Sequence, residues 1–418
     1  MSDTRPGVSP TLVPISPSAS AAPWLTIIGL GEDGLAGLSE ASRDALDRAE
    51  FVFGAPRHLA LAGIGADRAR PWPVPFSVEP LVAERGRAVA ALVSGDPFWH
   101  GAGAVLAARL APGEWRAAPA PSCFSLAAAR LGWPLERVTC LALHAAPVET
   151  LRPHLARGAR LLCTLRDSAA AAALAGWLTE QGLGMARLAV LEALGGPRER
   201  IRRARAAAFD LDGIATPVAV AIDLSDAPRG FGLPRTPGLA ESRFASDGQI
   251  TKSPVRALTL AALAPRPGEH LWDIGAGSGS VSVEWLLAAP GASATAVEPR
   301  ADRGANIAAN ARAFGLSPRL RLVEGRAPEC LDGLAGPEAV FVGGGGSEEL
   351  FARLWEILPE GTRLVANAVT LETEALLTTL AARRGGELIR IELSRAEPLG
   401  SLRAWQAARP VTQWSVIR

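Results

Sequence analysis

The sequence predicts an α/β protein made of two consecutive folds. From Trp24 onward, short apolar runs typical of strands alternate with alanine-rich helical patterns. Two of these runs lead into glycine-rich turns, in WLTIIGLGEDG at residues 24–34 and in LWDIGAGSGSVSVEW at residues 271–285. A chain of 418 residues also exceeds one ordinary core, since a domain holds roughly 150 residues.

Composition narrows the class of protein. Apolar residues make up 48% of the chain and charged residues 20%, which is typical of a soluble globular protein. A net charge of +1 provides no broad basic field for nucleic acid or for an anionic membrane surface. No uncharged apolar run reaches the ~18 residues of a membrane span. We therefore predict neither a nucleic-acid partner nor a membrane, and a cytoplasmic location.

The first residues argue against a secreted protein, and the cysteines and histidines argue against a disulfide-stabilised or zinc-binding one. Residues 1–23 are rich in Ser and Pro and lack the apolar segment of a signal peptide, which predicts a flexible extension. The four cysteines are far apart with no CxxC, and the five histidines form no ligand-spaced cluster. We predict no metal site and no disulfide framework.

The alternation of elements gives the domain boundaries. The front half, residues 24–225, contains the strand-like runs LTIIGLG, FVFG, RAVAALVSGDP and ARLLCTLR, with the helical pattern LSEASRDALDRAE after the first. Residues 226–242 are dense in Pro and Gly and form the predicted linker. In the rear half, residues 243–418, strand and helix alternate strictly from HLWDIGAG to LETEALLTTLAARRG.

The last two runs of the rear half break this alternation. ELIRIELS and TQWSVIR have no helix between them that is long enough for a parallel crossover. The final strand is therefore predicted to be antiparallel.

The second turn differs from a dinucleotide-binding turn. Its glycines follow GxGxG after Asp273, and Ser280 stands where the last dinucleotide glycine belongs. This pattern resembles motif I of class I S-adenosylmethionine (SAM) methyltransferases, whose glycines let the backbone approach the methionine portion of the donor. The alternative is a turn that merely connects strand to helix. The resemblance implies a donor contact for each of Asp273, Gly275, Ala276, Gly277, Ser278 and Gly279.

Three further positions match the same donor pocket. Glu298 ends the second strand in AVEP, where the resemblance implies contact with both ribose hydroxyls; a solvated strand end is the alternative. The resemblance also implies that Ala327, in EGRAPE, lines the adenine and that Thr251, which precedes a helix, contacts the donor. The glycine turn, Glu298 and Ala327 all fall at the carboxyl ends of predicted parallel strands, where open α/β sheets bind ligands.

The first turn supports two interpretations. Gly29, Gly31 and Gly34 satisfy GxGxxG, and Glu50 follows about 20 residues on, as in a dinucleotide site. Its neighbours SGDPFWHGAG, PSCFSLAAARLGWP and EALGGPRERI instead resemble the tetrapyrrole methylases, in which the donor lies between two α/β subdomains. This resemblance makes donor-site residues of Gly29, Gly31, Gly95, Asp96, Pro97 and Ser122.

The front half departs from the tetrapyrrole methylase pattern at three places. His100 stands where a Tyr is usual, Ala120 lies in a turn usually written PG(V/I)SS, and Ala145 replaces the glycine of LHGR. These departures keep open a front half that only binds or acts as a scaffold. A hydrogen-bonded structural role is the simpler interpretation of both His100 and His144.

A tetrapyrrole methylase followed by a class I methyltransferase resembles the bifunctional, decarboxylating precorrin methyltransferases of cobalamin biosynthesis. Four further segments are similar to sequences of that family: RTPGLAESRF, DGQITKSPVRAL, ANAVTLET and LSRAEPLG. The resemblance implies methylation of precorrin-6B at ring carbons 5 and 15 with loss of the carbon-12 acetate carboxyl, giving precorrin-8. It further implies two SAM sites, no metal cofactor, and a homo-oligomer, a tetramer by likeness to relatives of the rear half. A fused enzyme that acts on another tetrapyrrole, or on one carbon only, is the alternative.

Two basic residues are candidate anchors for the carboxylates of such a substrate. Lys252 is the only lysine of the chain and follows Thr251, and Arg395 lies in LSRAEPLG. The alternative for both is a solvated surface cation. The FVGGGGSEE stretch, which replaces the [DN]PPY of amino-methylating enzymes, argues against a nucleobase amine as acceptor.

Overall fold

The structure, a computed structural model, describes residues 23–418. Except for its last residue, the predicted extension over residues 1–23 lies outside the described residues. Contacts divide the described chain into two compact units. The first holds the residues up to His144 together with Arg160–Gly176 and Arg187–Ile222, and the second holds Ala145–Ala159, Trp177–Ala186 and Asp223–Arg418.

The first sheet of the first unit has five strands in the order β3-β2-β4-β1-β5, and every neighbouring pair is parallel. All six residues of β1 are buried, as expected for a strand with a neighbour on each side. The predicted α/β alternation is therefore confirmed here. Its elements are β1 (Leu25–Leu30), α1 (Glu40–Arg48), β2 (Phe51–Gly54), α2 (Pro56–Leu61), β3 (Ala69–Pro71), α3 (Glu79–Val82), β4 (Val89–Ser94), α4 (Gly103–Ala107) and β5 (Trp115–Ala118).

A second sheet of five strands follows, in the order β6-β7-β10-β8-β9. Its elements are α5 (Cys123–Leu131), β6 (Thr139–Ala142), β7 (Arg160–Leu165), α6 (Ala169–Glu180), β8 (Arg187–Glu192), β9 (Arg200–Arg205) and β10 (Val218–Asp223). β8 and β9 are antiparallel, which differs from the parallel strands predicted for this half. The physical reason is the short β8–β9 connection, which cannot contain a parallel crossover.

The second unit is built on a seven-stranded sheet in the order β13-β12-β11-β14-β15-β19-β16. β11 to β15 pair in parallel, whereas β19 is antiparallel to both of its neighbours, so the predicted antiparallel final strand is confirmed. Its elements are α7 (Ser253–Leu263), β11 (His270–Ile274), α8 (Ser280–Ala288), β12 (Ser293–Glu298), α9 (Ala301–Ala313), β13 (Leu320–Glu324), β14 (Ala339–Val342), α10 (Glu348–Ile357), β15 (Arg363–Ala368), α11 (Leu371–Arg384), β16 (Glu387–Ile391), β17 (Ser394–Leu399), β18 (Leu402–Ala407) and β19 (Val411–Ile417).

The seven-stranded sheet has an apolar core on each face. Ala339 and Phe341 of β14 pack into one core with Trp285, while Val340 and Val342 pack into the other with Trp414. This follows from the strand period of two, which sends successive side chains to opposite faces. The central strands β11, β12, β14 and β15 are thus largely buried, whereas the edge strand β13 is partly exposed along its length.

A hairpin of β17 and β18 stands apart from this sheet. Every residue of both strands is exposed, and the two strands pair only with each other. The connection is the two-residue turn Gly400–Ser401, in which Gly400 has a φ of +59°. The sequence analysis missed this hairpin. Arg395, one of the two predicted anchors, lies on it.

A fully buried ion pair joins α7 to α8. Nε of Arg256 donates to Glu284 Oε1 at 2.8 Å, and the carboxylate of Glu284 also accepts from the backbone N–H groups of Gly238 and Leu239. The remaining guanidinium N–H groups donate to the carbonyl oxygens of Thr251 and Leu239. The pair is therefore well satisfied, and it fixes the chain that precedes α7.

No helix within residues 23–418 is both long enough and apolar enough to cross a membrane.

We expect Arg256→Met to lower the free energy of unfolding of the second unit by about 3–5 kcal/mol, because it leaves the Glu284 carboxylate buried without its cation. Urea unfolding followed by hydrogen exchange and mass spectrometry reports this unit separately. Arg266→Met removes a largely exposed partner of Glu269 and is the matched control, for which we expect almost no change. Equal stabilities of the two variants would contradict the prediction.

Candidate functional site

The rear glycine turn requires glycine for its backbone. Gly275, Gly277 and Gly279 have φ values of +67°, +59° and +69°, in the left-handed region that other residues rarely adopt. A Cβ on Gly275 would also lie 2.5 Å from the carbonyl oxygen of Gly344. The turn therefore packs directly against the glycine loop after β14, with the N–H of Gly343 donating to the Ile274 carbonyl at 2.9 Å.

Asp273 is the last but one residue of β11, before this turn, and its side chain is buried. Oδ2 accepts from the N–H of Ser282 at 3.1 Å and from its hydroxyl at 2.7 Å. Oδ1 is buried and has no hydrogen-bond partner among the described residues, and the same holds for Oγ of Ser278. Burial raises the pKa of Asp273 to about 6, and the nearby charge of Glu298 adds to this, while the Ser282 bonds oppose it.

Unpartnered buried polar atoms cost free energy and are uncommon in native proteins. Two of them at one strand end, in a turn whose glycines keep the backbone bare, form a site that suits a ligand with hydrogen-bonding groups. The residues present thus fit the predicted donor, whose amino-acid portion and ribose carry such groups.

Glu298 ends the neighbouring strand β12 and is buried. Its Oε2 accepts from the N–H of Gly277 at 2.8 Å, and its Oε1 accepts from the N–H of Arg300 at 3.1 Å. Each carboxylate oxygen has a further lone pair for a hydroxyl. The carboxylate thus lies beside the turn and can still accept from hydroxyl groups, as the predicted role requires. Contact with the ribose itself stays a prediction.

The segment before α7 lies against the same turn. A Cβ on Gly277 would be 3.8 Å from the carbonyl oxygen of Gln249, and the amide of Asn310 donates to the carbonyl oxygens of both Ala245 and Ser278. Arg303 donates to Asp247 at 2.9 Å. Thr251 follows this segment directly. The sequence analysis missed Asn310 and Arg303, which hold the segment in place from α9.

Both predicted anchors lie near one carboxylate. Glu241 Oε1 accepts from the N–H of Ser253, the residue after Lys252, at 2.9 Å, and from Arg395 Nη2 at 3.4 Å. Lys252 is exposed at the start of α7, and no ion pair of its ammonium group appears among the described residues. The structure thus brings Arg395 and the backbone at the start of α7 to the same carboxylate, and the joint action of the two cations stays a prediction.

Ala327 follows the end of β13. Two residues before it, the N–H of Gly325 donates to the carbonyl oxygen of Glu298 at 3.2 Å, which holds this loop next to the end of β12. Ala327 is partly buried against the core that contains Trp414. Its contact with adenine stays a prediction.

In the front half, three of the predicted stretches meet at one point. A Cβ on Gly29 would lie 1.9 Å from the carbonyl oxygen of Gly95 and 2.6 Å from the N–H nitrogen of Ala120. The N–H of Ala120 donates to Gly95 at 3.2 Å, and a Cβ on Gly95 would lie 2.9 Å from Cα of Ser122. The ends of β1 and β4 and the start of α5 are therefore in contact, as the donor-site prediction requires.

Internal hydrogen bonds hold the loop after β4. Asp96 Oδ1 accepts from the N–H of Phe98 at 2.9 Å, and the carbonyl oxygen of Pro97 accepts from Gly103 at 3.0 Å. Ser122 caps α5 by accepting from the N–H of Ser125 at 3.1 Å. Gly31, after β1, accepts from Gly34 at 3.2 Å through its carbonyl oxygen. Donor contacts of these residues stay predictions.

His100 and His144, two of the four histidines of the front half, differ in environment. His144 Nδ1 lies 2.9 Å from the hydroxyl of Thr164, and burial together with the charge of His100 lowers the pKa of His144. His100 has a φ of +59°, which is strained for a residue with a Cβ. A structural hydrogen bond thus accounts for His144, in agreement with the simpler interpretation.

Within residues 23–418, no three His, Cys, Asp or Glu side chains lie together so that they could hold a metal ion.

Comparison with known proteins agrees with both halves of this description. Residues 24–210 match the model of the Tetrapyrrole (Corrin/Porphyrin) Methylases, and residues 242–418 match the Precorrin methyltransferase domain. A precorrin-6Y C(5,15)-methyltransferase [decarboxylating] of Sinorhizobium sp. is 49% identical over 405 residues, which cover 96% of this chain and 98% of the relative.

Two shorter proteins also match. A probable cobalt-precorrin-6B C(15)-methyltransferase (decarboxylating) of Pyrobaculum calidifontis is 34% identical over 183 residues, or 42% of this chain and 93% of the relative. The crystal structure of the C-terminal domain of precorrin-6Y C5,15-methyltransferase from Rhodobacter capsulatus is 64% identical and covers 44% of this chain and 100% of that chain, with a TM-score of 0.43.

The match over almost the full length of both chains, with one methylase model on each half, is the observation that decides the family. The chain belongs to the decarboxylating precorrin-6Y C(5,15)-methyltransferases, which are SAM-dependent C-methyltransferases of cobalamin biosynthesis.

Proposed function

We propose that the two halves divide the reaction. The front half, residues 24–225, methylates ring carbon 5, and the rear half, residues 243–418, methylates ring carbon 15 and removes the carboxyl of the carbon-12 acetate. Each half has its own SAM site, and the linker at 226–242 joins them. The observation that carries this proposal is the presence of two separate glycine turns, each packed at the carboxyl ends of parallel strands.

The shorter relative supports the assignment to the rear half. Its printed name joins carbon-15 methylation and decarboxylation in one protein, and its 183 matched residues correspond to about one half of this chain. The Precorrin methyltransferase domain matches residues 242–418, which coincide with the proposed rear half. Carbon 5 then remains for the front half.

In the rear half, Asp273, Gly277, Glu298 and Thr251 would hold the donor. The unpartnered Oδ1 of Asp273 and Oγ of Ser278 support this assignment, because a bound ligand would complete their hydrogen bonding. Bound there, SAM supplies an electrophilic methyl group. The bare backbone at Gly275 and Gly277 allows close approach without a side chain in the way.

For methyl transfer, the main task of the protein is to position the acceptor carbon and the donor methyl group. A carbon between two pyrrole rings has enamine character: it forms the new carbon–carbon bond as the sulfur–carbon bond breaks, and it then loses its proton. Holding both partners in line can contribute up to roughly 7–11 kcal/mol. We therefore assign no catalytic acid or base. The role of the anchoring residues is to orient the macrocycle relative to the donor methyl group.

Decarboxylation requires an electron sink for the electron pair of the broken carbon–carbon bond. The bond between the acetate methylene and its carboxyl breaks, carbon dioxide leaves, the electron pair enters the conjugated macrocycle, and the methylene carbon takes up a proton. Lys252 and Arg395 would grip other carboxylates of the ring. Glu241 supports this arrangement from the side of Arg395, because its carboxylate accepts from that guanidinium group and from the backbone N–H next to Lys252.

We also keep the homo-oligomer implied by the resemblance as a proposal, with the precorrin as the small-molecule partner.

Gly277→Val should abolish carbon-15 methylation and decarboxylation together while carbon-5 methylation continues, because a Cβ strains the left-handed backbone in the proposed donor site. Mass spectrometry and NMR of the product test this: the wild type should add two methyl groups and lose one carbon dioxide, and the variant should add one methyl group only.

Gly333→Ala is the control for this experiment. Gly333 has a φ of +77° and open space around it, so the substitution strains the backbone away from the turn. Continued decarboxylation by the Gly277 variant would refute the assignment of that step to the rear half.

Gly29→Ala should lower carbon-5 methylation on the order of 100-fold and leave the rear-half chemistry intact, because the new Cβ would collide with Gly95 and displace the loops. Calorimetry should show two equivalents of S-adenosylhomocysteine per wild-type chain and one per variant chain. Gly176→Ala, where a Cβ meets nothing within 4 Å, is the matched control. Binding of one equivalent by the wild type would contradict the two-site proposal.

A further inference from the structure

A charged cluster beside the front glycine turn has no role in the scheme above. Glu32 follows Gly31 at the end of β1, and its side chain is only 7% exposed. The carboxylate pairs with the guanidinium groups of Arg57 and Arg198, the latter at 3.4 Å. We call Glu32, Arg57 and Arg198 the Glu32 cluster.

The two arginines of the Glu32 cluster come from the two sheets of the first unit. Arg57 lies on α2, after β2 of the first sheet, and Arg198 lies between β8 and β9 of the second sheet. Gly196 permits this approach, because a Cβ there would lie 2.6 Å from Cβ of Glu32 and 2.8 Å from its carbonyl oxygen. The cluster therefore forms only where the two sheets meet.

The Glu32 cluster carries an excess positive charge. One carboxylate faces two guanidinium groups, and an arginine does not lose its proton in proteins. Burial lowers the pKa of Arg57, and the charge of Arg198 lowers it further, which agrees with the closeness of the two cations. The side chains of Arg57 and Arg198 are 37% and 62% exposed, so N–H groups of both remain accessible to a ligand.

Arg57 is also held in one orientation. Its Nη2 donates to Nε2 of His58 at 2.8 Å and to the hydroxyl of Ser94 at 3.2 Å. Burial lowers the pKa of His58 to about 4, so its imidazole is neutral at pH 7 and can accept at Nε2. A guanidinium fixed in advance loses little freedom when a ligand binds.

We propose that Arg57 and Arg198, oriented by Glu32, bind a side-chain carboxylate of the tetrapyrrole in the front half. This rests on the proposed methylation of carbon 5 by that half. A guanidinium matches the two oxygens of a carboxylate, and a second anion neutralises the excess charge. The donor also carries a carboxylate, but the macrocycle has several around its rim and enters from solvent, where Arg198 is open.

Arg198→Met in the full chain tests this, and because Arg198 is largely exposed we expect the variant to fold like the wild type. We expect the KM for the precorrin in carbon-5 methylation to rise about 10-fold, with a smaller change in kcat, because one charge-assisted hydrogen-bonding partner is lost. Carbon-15 methylation, decarboxylation and the affinity for S-adenosylhomocysteine should not change. Arg57→Met should act in the same direction.

Arg203→Met, an exposed arginine on β9, is the matched control. A KM of the Arg198 variant within about twofold of this control would overturn the proposal. Weaker S-adenosylhomocysteine binding with an unchanged KM would overturn it as well and assign the cluster to the donor.

Failure of the proposed function has a different signature. A wild type that forms no carbon-5 product but still methylates carbon 15 would refute the division of the reaction and leave the cluster to be judged by binding alone. Quenching of tryptophan fluorescence by the precorrin provides that measurement. Weaker quenching in the Arg198 variant than in the Arg203 variant supports the site, and equal quenching refutes it.

Discussion

The buried ion pair between Arg256 and Glu284 determines the path of the chain before α7. Glu284 binds two backbone N–H groups at residues 238 and 239, and Arg256 binds the carbonyl oxygen of Thr251 at the other end. The residues between these points therefore run past the glycine turn, where Asn310 fastens them. Neither charge is exposed to solvent, so separating the pair would leave a buried charge without its partner. The pair therefore holds this segment in a fixed position beside the candidate rear site.

The two glycine turns, both proposed donor sites, require glycine for different physical reasons. In the rear half, Gly275, Gly277 and Gly279 are needed for left-handed backbone. In the front half, Gly29 has no such backbone and is needed for space, since the chain at Gly95 passes where a Cβ would be. Two similar glycine patterns in the sequence thus meet two different structural requirements, left-handed backbone in one turn and close packing of backbone in the other.

The sequence predicted the fold well because apolar periodicity is a local signal. Strands such as β11 and β12 are buried on both faces, and their runs appear directly in the sequence. The β17–β18 hairpin was missed because both strands are exposed on both faces and show no apolar alternation. The two glycine turns were found by resemblance to known motifs, and their contacts with a donor stay predictions.

Side-chain contacts across the fold were beyond sequence reasoning. Asn310 contacts a backbone 65 residues away, and Arg198 reaches Glu32 across 166 residues. Only the tertiary structure brings such pairs together. One compositional oddity, in contrast, acquires practical use from the structure. Because Lys252 is the sole lysine and is exposed at the start of α7, an amine-reactive dye or cross-linker has a single side-chain target in this chain, with only the α-amino group competing for the reagent.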